Sequence, residues 1–163
     1  MMTDAGGHPA ASGCRGVGKD GKPQEPRPSV IVFSVPGPPR GKAKSFGFGR
    51  GFVDRATQKY MDDIGWAAKA VIAGRPFRLL EKASLTLTGI YPIPPSWPKR
   101  KQEAAALGEI PCTARPDLDN VMKAVGDALN GIIWRDDAVI TSASLDKTYG
   151  REPRLLIAVN TGN

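Results

Sequence analysis

Asp117, Asp119, Asp136 and Asp137 fall within one span that reads Arg115-Pro-Asp-Leu-Asp-Asn-Val-Met-Lys-Ala-Val-Gly-Asp-Ala-Leu-Asn-Gly131 and then, beyond two isoleucines, Trp134-Arg-Asp-Asp137. The chain around them is basic, with a formal net charge of +7. Left bare, such carboxylates repel a polyanion; with divalent cations bound, they become an electrophilic clamp on a phosphodiester. Carboxylates and the amide oxygen of Asn120 are hard oxygen donors, suited to Mg²⁺ or Mn²⁺, which keep waters that can be activated. Lys123 would add a point charge where negative charge develops on phosphorus.

These side chains need a rigid support, and the spacing predicts a helix. Pro116 disfavours helix at Arg115, Asp117 or Asp119 can cap a helix, and Asn130-Gly131 can end it. At about 100° per residue, Leu118, Val121, Met122, Val125 and Leu129 form one core-facing stripe. Asn120, Lys123 and Asp127 then share the opposite face within an arc of roughly 60°. Lys123 lies one turn from Asp119 and one turn from Asp127, and Asp127 is expected to pair with it rather than take a direct catalytic part. Trp134-Arg-Asp136-Asp137 follows the helix and can return along a sheet, bringing a third carboxylate beside the first two. Plainer uses remain open: Asp117 and Asp119 as helix caps alone, and Asp136-Asp137 as an ordinary polar turn.

Two other uses of the same aspartates fail on spacing. An EF-hand needs glycine at the sixth loop position and glutamate at the twelfth, where counting from Asp117 gives Met122 and Ala128. An aspartyl-phosphate phosphatase needs a buried apolar strand directly before its first aspartate; Pro111-Cys-Thr-Ala-Arg-Pro116 cannot form one.

Elsewhere the chain supplies a small α+β domain. Residues 1–28 are rich in glycine and proline and poor in large apolar side chains, so they read as a disordered tail, with a single domain over 29–163. Ser29 to Val35 is β-branched and ends at Pro36-Gly-Pro-Pro39, a strand followed by a turn. Arg40 to Arg55 sets Arg40, Lys42, Lys44 and Arg50 among Phe46, Phe48 and Phe52. That pattern suits either a loop contacting nucleic acid or a hairpin whose phenylalanines turn inward. Thr57 to about Ala73 has helical periodicity, Lys82 to Tyr91 alternates like a half-buried strand, and Lys99 to Leu107 is a basic helix capped by Gly108. Lys99, Arg100 and Lys101 occupy its first turn, where the macrodipole disfavours cations, so they face either an outside anion or solvent. Ala138 to Tyr149 and Arg154 to Asn160 read as two strands joined in a hairpin by Gly150-Arg-Glu-Pro153. The order is that of a mixed or antiparallel sheet with packed helices.

Composition narrows the chemistry further. The 163 residues are 40% hydrophobic, enough for one modest core. Two cysteines without metal-ligand spacing and a single histidine, His8, argue against a zinc site or histidine-based catalysis. Neither a long apolar run nor the basic-then-apolar order of a signal peptide occurs, so a soluble intracellular protein without a membrane partner is expected.

The chain resembles the RusA family of Holliday junction resolvases, which are endodeoxyribonucleases. The likeness rests on Arg115-Pro-Asp-Leu-Asp-Asn-Val-Met-Lys123, on Asp127-Ala-Leu-Asn-Gly131, and on Trp134-Arg-Asp-Asp137 leading into a strand with Lys147; Gly37-Pro-Pro-Arg40 and Pro95-Ser-Trp-Pro-Lys99 extend it. The resemblance implies a RusA-like fold with Asp117, Asp119 and Asp137 as the metal-binding catalytic acids and Lys123 important for cleavage. Asn120, Asp136 and Asp127 would support them. It also implies a cytoplasmic, nucleoid-associated homodimer that uses Mg²⁺, with Mn²⁺ as a substitute and no organic cofactor. Such a dimer places symmetric nicks across a four-way DNA junction in recombination and repair. Arg40, Lys42, Lys44, Lys99, Arg100, Lys101 and Lys147 are the candidate phosphate contacts. The competing expectation is a non-catalytic basic DNA-binding protein whose aspartates are structural.

Overall fold

A computed structural model describes residues 30–42, 45–47, 50–52 and 54–161, with 45–47 and 50–52 as backbone alone. The expected disordered tail, residue 29 and the candidate contact Lys44 lie outside the described residues. Strand β1 (Val30–Pro36) leads to a short antiparallel pair, β2 (Ser45–Gly47) and β3 (Arg50–Phe52). Helix α1 (Arg55–Ile72), strand β4 (Ala83–Pro92), helix α2 (Lys99–Ala106) and helix α3 (Leu118–Leu129) follow. A single 3₁₀ turn, Asp137–Val139, then opens into β5 (Ile140–Gly150), and β6 (Arg154–Asn160) closes the order.

The main sheet runs β1-β6-β4-β5, antiparallel at the first two junctions and parallel between β4 and β5. This is the expected α+β domain with a mixed sheet. The expected hairpin is overturned: β6 lies between β1 and β4, so β4 separates it from β5. The residues explain why. Leu155-Leu-Ile-Ala-Val159 is apolar on both faces, as a central strand requires, whereas Thr141 to Ser144 are exposed and suit an edge.

Alternation fixes which face of the sheet is buried. Ile31, Phe33 and Val35 of β1, Leu85 and Leu87 of β4, and Leu155, Ile157 and Val159 of β6 pack against Tyr60, Ile64 and Ala68 of α1 and Val121, Val125 and Leu129 of α3. The helical stripes therefore fall as their spacing predicts, except at Leu118, which is 43% exposed. Leu118 opens α3 one turn before Val121, the first residue of that helix to reach the core, and so it overhangs the packed layer.

Beyond α3 the chain is pulled back by Ile133 and Trp134, both fully buried. The Trp134 indole N–H donates to Asn130 Oδ1 at 2.9 Å, and Leu80 N–H donates to the Ile133 carbonyl at 2.8 Å. Burying two such side chains is worth about 1.5–3 kcal/mol each, so the segment that delivers Asp136 and Asp137 is firmly anchored. A second, smaller cluster of Tyr91, Ala105 and Tyr149 seats α2 and the stretch through Ile110, Cys112 and Ala114. That stretch leads directly into the acidic motif.

Candidate functional site

Asp117 occupies the N-cap of α3 with extended backbone, yet its side chain makes no capping hydrogen bond. Two other aspartates in the same position do cap. Asp54 accepts from Ala56 and Thr57 N–H, both at 3.0 Å, and Asp136 accepts from Ala138 N–H at 2.9 Å. A reading of Asp117 as a helix cap alone therefore fails, while Asp136 is a cap.

Asp117 lines an open cavity of about 450 Å³ together with Arg40, Gly41, Arg115, Pro116 and Asn120. The turn after β1 forms the opposite wall and is docked tightly. A Cβ on Gly41 would stand 2.7 Å from Asn120 Cβ and 2.8 Å from Pro116 Cβ, so only glycine fits. Lys42 N–H donates to the Asn120 carbonyl at 2.9 Å, and its ammonium reaches Asp127 at 2.5 Å. Asp127 is thus paired with Lys42 and not, as the helical spacing suggested, with Lys123. Lys42 in turn serves as a clamp between the turn and α3.

Lys123 pairs with Asp119 at 3.0 Å on the exposed side of the helix, as its spacing predicts. The hydrogen bond from Lys123 is the main reason the Asp119 carboxyl is held below the usual carboxylate range. Asp137 comes to the same side of α3: a Cβ on Gly126 would meet its Oδ2 at 3.1 Å. The loop thus returns to the helix as expected, and it does so on glycine because a larger residue would push the carboxylate away.

The three acids nevertheless do not surround one point. Asp119 and Gly126 are seven residues apart, about 10 Å along the axis, and Asp117 lines the cavity beside Gly41. Among the described residues no three carboxylate, histidine or cysteine side chains gather as a metal-binding group. The donor chemistry of the three acids is nonetheless that of a site for a hard cation.

The candidate phosphate contacts divide into two kinds. Lys99, Arg100 and Lys101 are exposed in the first turn of α2, whose N-cap, Pro98, offers no side-chain hydrogen bond. The Lys101 ammonium lies over the Trp97 ring at 3.9 Å. Lys147 is instead partly buried: its ammonium donates to the carbonyls of Ala114 and, at 3.2 Å, Pro116. Arg115 was missed as a candidate, although it lines the cavity with Arg40 and Asp117. Its position directly before Pro116-Asp117 was the available signal.

None of the helices among the described residues is long and apolar enough to cross a membrane. The chain is 39% identical over 61 residues to the uncharacterized protein YqaN of Bacillus subtilis (strain 168), a match spanning 37% of this chain and 43% of that protein. The model of the family described as endodeoxyribonuclease RusA matches residues 35–160, from the end of β1 through β6 and across the whole acidic site. With both core helices, the docked turn and the three acids inside that match, the chain belongs to the RusA endodeoxyribonuclease family.

Proposed function

We propose that this protein is a metal-dependent endodeoxyribonuclease that resolves four-way DNA junctions by paired symmetric nicks, acting in recombination and repair. The observation that carries the reading is the cavity lined by Asp117, Arg40 and Arg115, at an N-cap whose aspartate makes no capping hydrogen bond. Cations beside a carboxylate are what a bound phosphodiester requires, since the arginines hold the phosphate oxygens while the acid remains free for another charge. Asp117, Asp119 and Asp137 are the residues we assign to Mg²⁺, with Mn²⁺ as a substitute and no organic cofactor. A divalent cation held by them would supply activated water and take up charge on the leaving 3′ oxygen.

The chain's own part is positioning and charge. A cation drawing on Asp119 would compete with Lys123 for that carboxylate, and the freed ammonium would then be available to the phosphate one turn inside the helix. Hydrolysis adds water to phosphorus and breaks the bond to the 3′ oxygen, leaving a 5′ phosphate and a 3′ hydroxyl that a ligase can rejoin. Lys99, Arg100 and Lys101 supply salt-dependent affinity for the flanking duplex. A homodimer would relate two such sites by a two-fold axis, matching the symmetry of the junction. The compartment we assign is the cytoplasm, at the nucleoid.

A non-catalytic DNA-binding role is favoured by one observation, that Asp119 and Asp127 are already engaged by lysines. Incubation with a synthetic four-way junction, with and without Mg²⁺ and beside a linear duplex, separates the two. Ligatable paired nicks in the junction that require Mg²⁺ support the enzyme. Binding that is indifferent to Mg²⁺ and never leads to nicks would overturn it.

A further inference from the structure

We infer that Lys147 is a positioning residue for Asp117, acting through the peptide carbonyls that precede it, and not a phosphate contact. The inference rests on the nuclease reading above and concerns how that site is held. Lys147 lies on β5 opposite Gly89 of β4, on the side of the sheet that carries Leu145 and Tyr149. Its stem is partly buried there, and its ammonium is 5.0 Å from the centre of the Tyr91 ring.

From that position the ammonium donates to Ala114 and Pro116 carbonyls, and the Tyr91 hydroxyl donates to the Pro116 carbonyl as well, at 3.4 Å. Residues 111–116 form no helix or strand, and these donors give two of their carbonyls the partners a ladder would otherwise provide. The Pro116 carbonyl and the Asp117 nitrogen share one peptide plane. Fixing the first therefore fixes where the backbone of Asp117 starts. On its other side the Asp117 carbonyl accepts from Val121 N–H at 3.2 Å, the first bond of α3. The backbone of Asp117 is therefore held on both sides, and the carboxylate starts from a fixed Cα although its own side chain makes no capping bond.

The test compares Lys147→Met, Lys147→Arg, Tyr91→Phe and Asp117→Asn with the wild type in three measurements: junction binding against salt without Mg²⁺, single-turnover junction cleavage with Mg²⁺, and hydrogen exchange at the Val121 amide relative to Val125. Lys147→Met is expected to bind within about twofold of wild type with an unchanged salt slope and to cleave about 10- to 100-fold more slowly. Its Val121 amide should exchange faster. Lys147→Arg should recover part of the cleavage, and Tyr91→Phe, which keeps the buried ring and so tests the idea even if Lys147→Met folds poorly, should show a smaller loss in the same direction. Combined with Asp117→Asn, Lys147→Met should cost nothing further, because both act through one carboxylate. A salt slope reduced by about one, additive losses, or unchanged cleavage would each overturn the inference. If the wild type cuts no branched DNA, the nuclease reading falls, and Val121 exchange alone decides the positioning.

Discussion

Helices α1 and α3 both begin after an aspartate with extended backbone, Asp54 and Asp117, yet the two carboxylates have opposite fates. Asp54 accepts two backbone N–H groups and the Thr57 hydroxyl, the last at 2.6 Å, and those bonds, that from Thr57 first, hold its carboxyl below the usual range. Asp117 makes no capping bond and lines a cavity with two arginines. The same residue in the same position thus serves the fold in one helix and is left free in the other. The 3₁₀ turn repeats the contrast between neighbours, with Asp136 capping and Asp137 turned to Gly126.

The sharpest way to break this contrast is to remove each carboxylate in turn. Asp117→Asn and Asp137→Asn should each lower junction cleavage by about a thousandfold or more while leaving binding and melting temperature near those of wild type. Asp54→Asn should do the reverse, lowering the melting temperature in calorimetry with cleavage unchanged. Full cleavage by Asp117→Asn would show that its freedom from capping has no catalytic meaning.

Gly126→Ala tests the seat of Asp137. Helix propensity favours alanine by up to about 1 kcal/mol, but its Cβ would sit 3.1 Å from Asp137 Oδ2. We expect little change in stability and about tenfold slower cleavage. A smaller effect separates the basic residues. Replacing Lys99, Arg100 and Lys101 with serine should reduce the salt slope of junction binding by about one for each phosphate no longer neutralised. Lys42→Met should leave that slope alone and cost about 1 kcal/mol or less, since the ion pair with Asp127 is one-third exposed on both sides.

The smallest effect is the dependence of the α1 cap on pH. Because the folded Asp54 carboxyl lies below its ordinary value, its contribution is complete above the unfolded carboxyl range and is lost as pH falls through the folded value. The melting-temperature deficit of Asp54→Asn should therefore be largest near neutrality and shrink as pH falls below the ordinary carboxyl range. A deficit that does not change with pH would mean the asparagine fails for steric rather than electrostatic reasons.

Much of this was legible along the chain because it depends on local periodicity. The α3 stripe of Val121, Val125 and Leu129, the alternation of β4 and the pairing of Lys123 with Asp119 all follow from residues a few positions apart. Leu118 and the β5–β6 hairpin were misread for related reasons. A helical wheel does not say where the packed layer ends, and a short connection with Gly150 and Pro153 suits a hairpin whether or not another strand comes between. The apolar run of β6 against the polar run of β5 was the signal that separated them.

By itself, then, the sequence determined the elements, the faces they bury and the kinds of groups at the site, because these are set by spacing along one helix or strand. Only the tertiary structure decided which groups are spoken for. Lys42 meets Asp127 across 85 positions and Lys147 meets the Pro116 carbonyl across 31. Whether a given aspartate caps a helix or faces a cavity depends on such distant partners. Side chains choose among partners by proximity in space, and that proximity exists only once the sheet order is fixed.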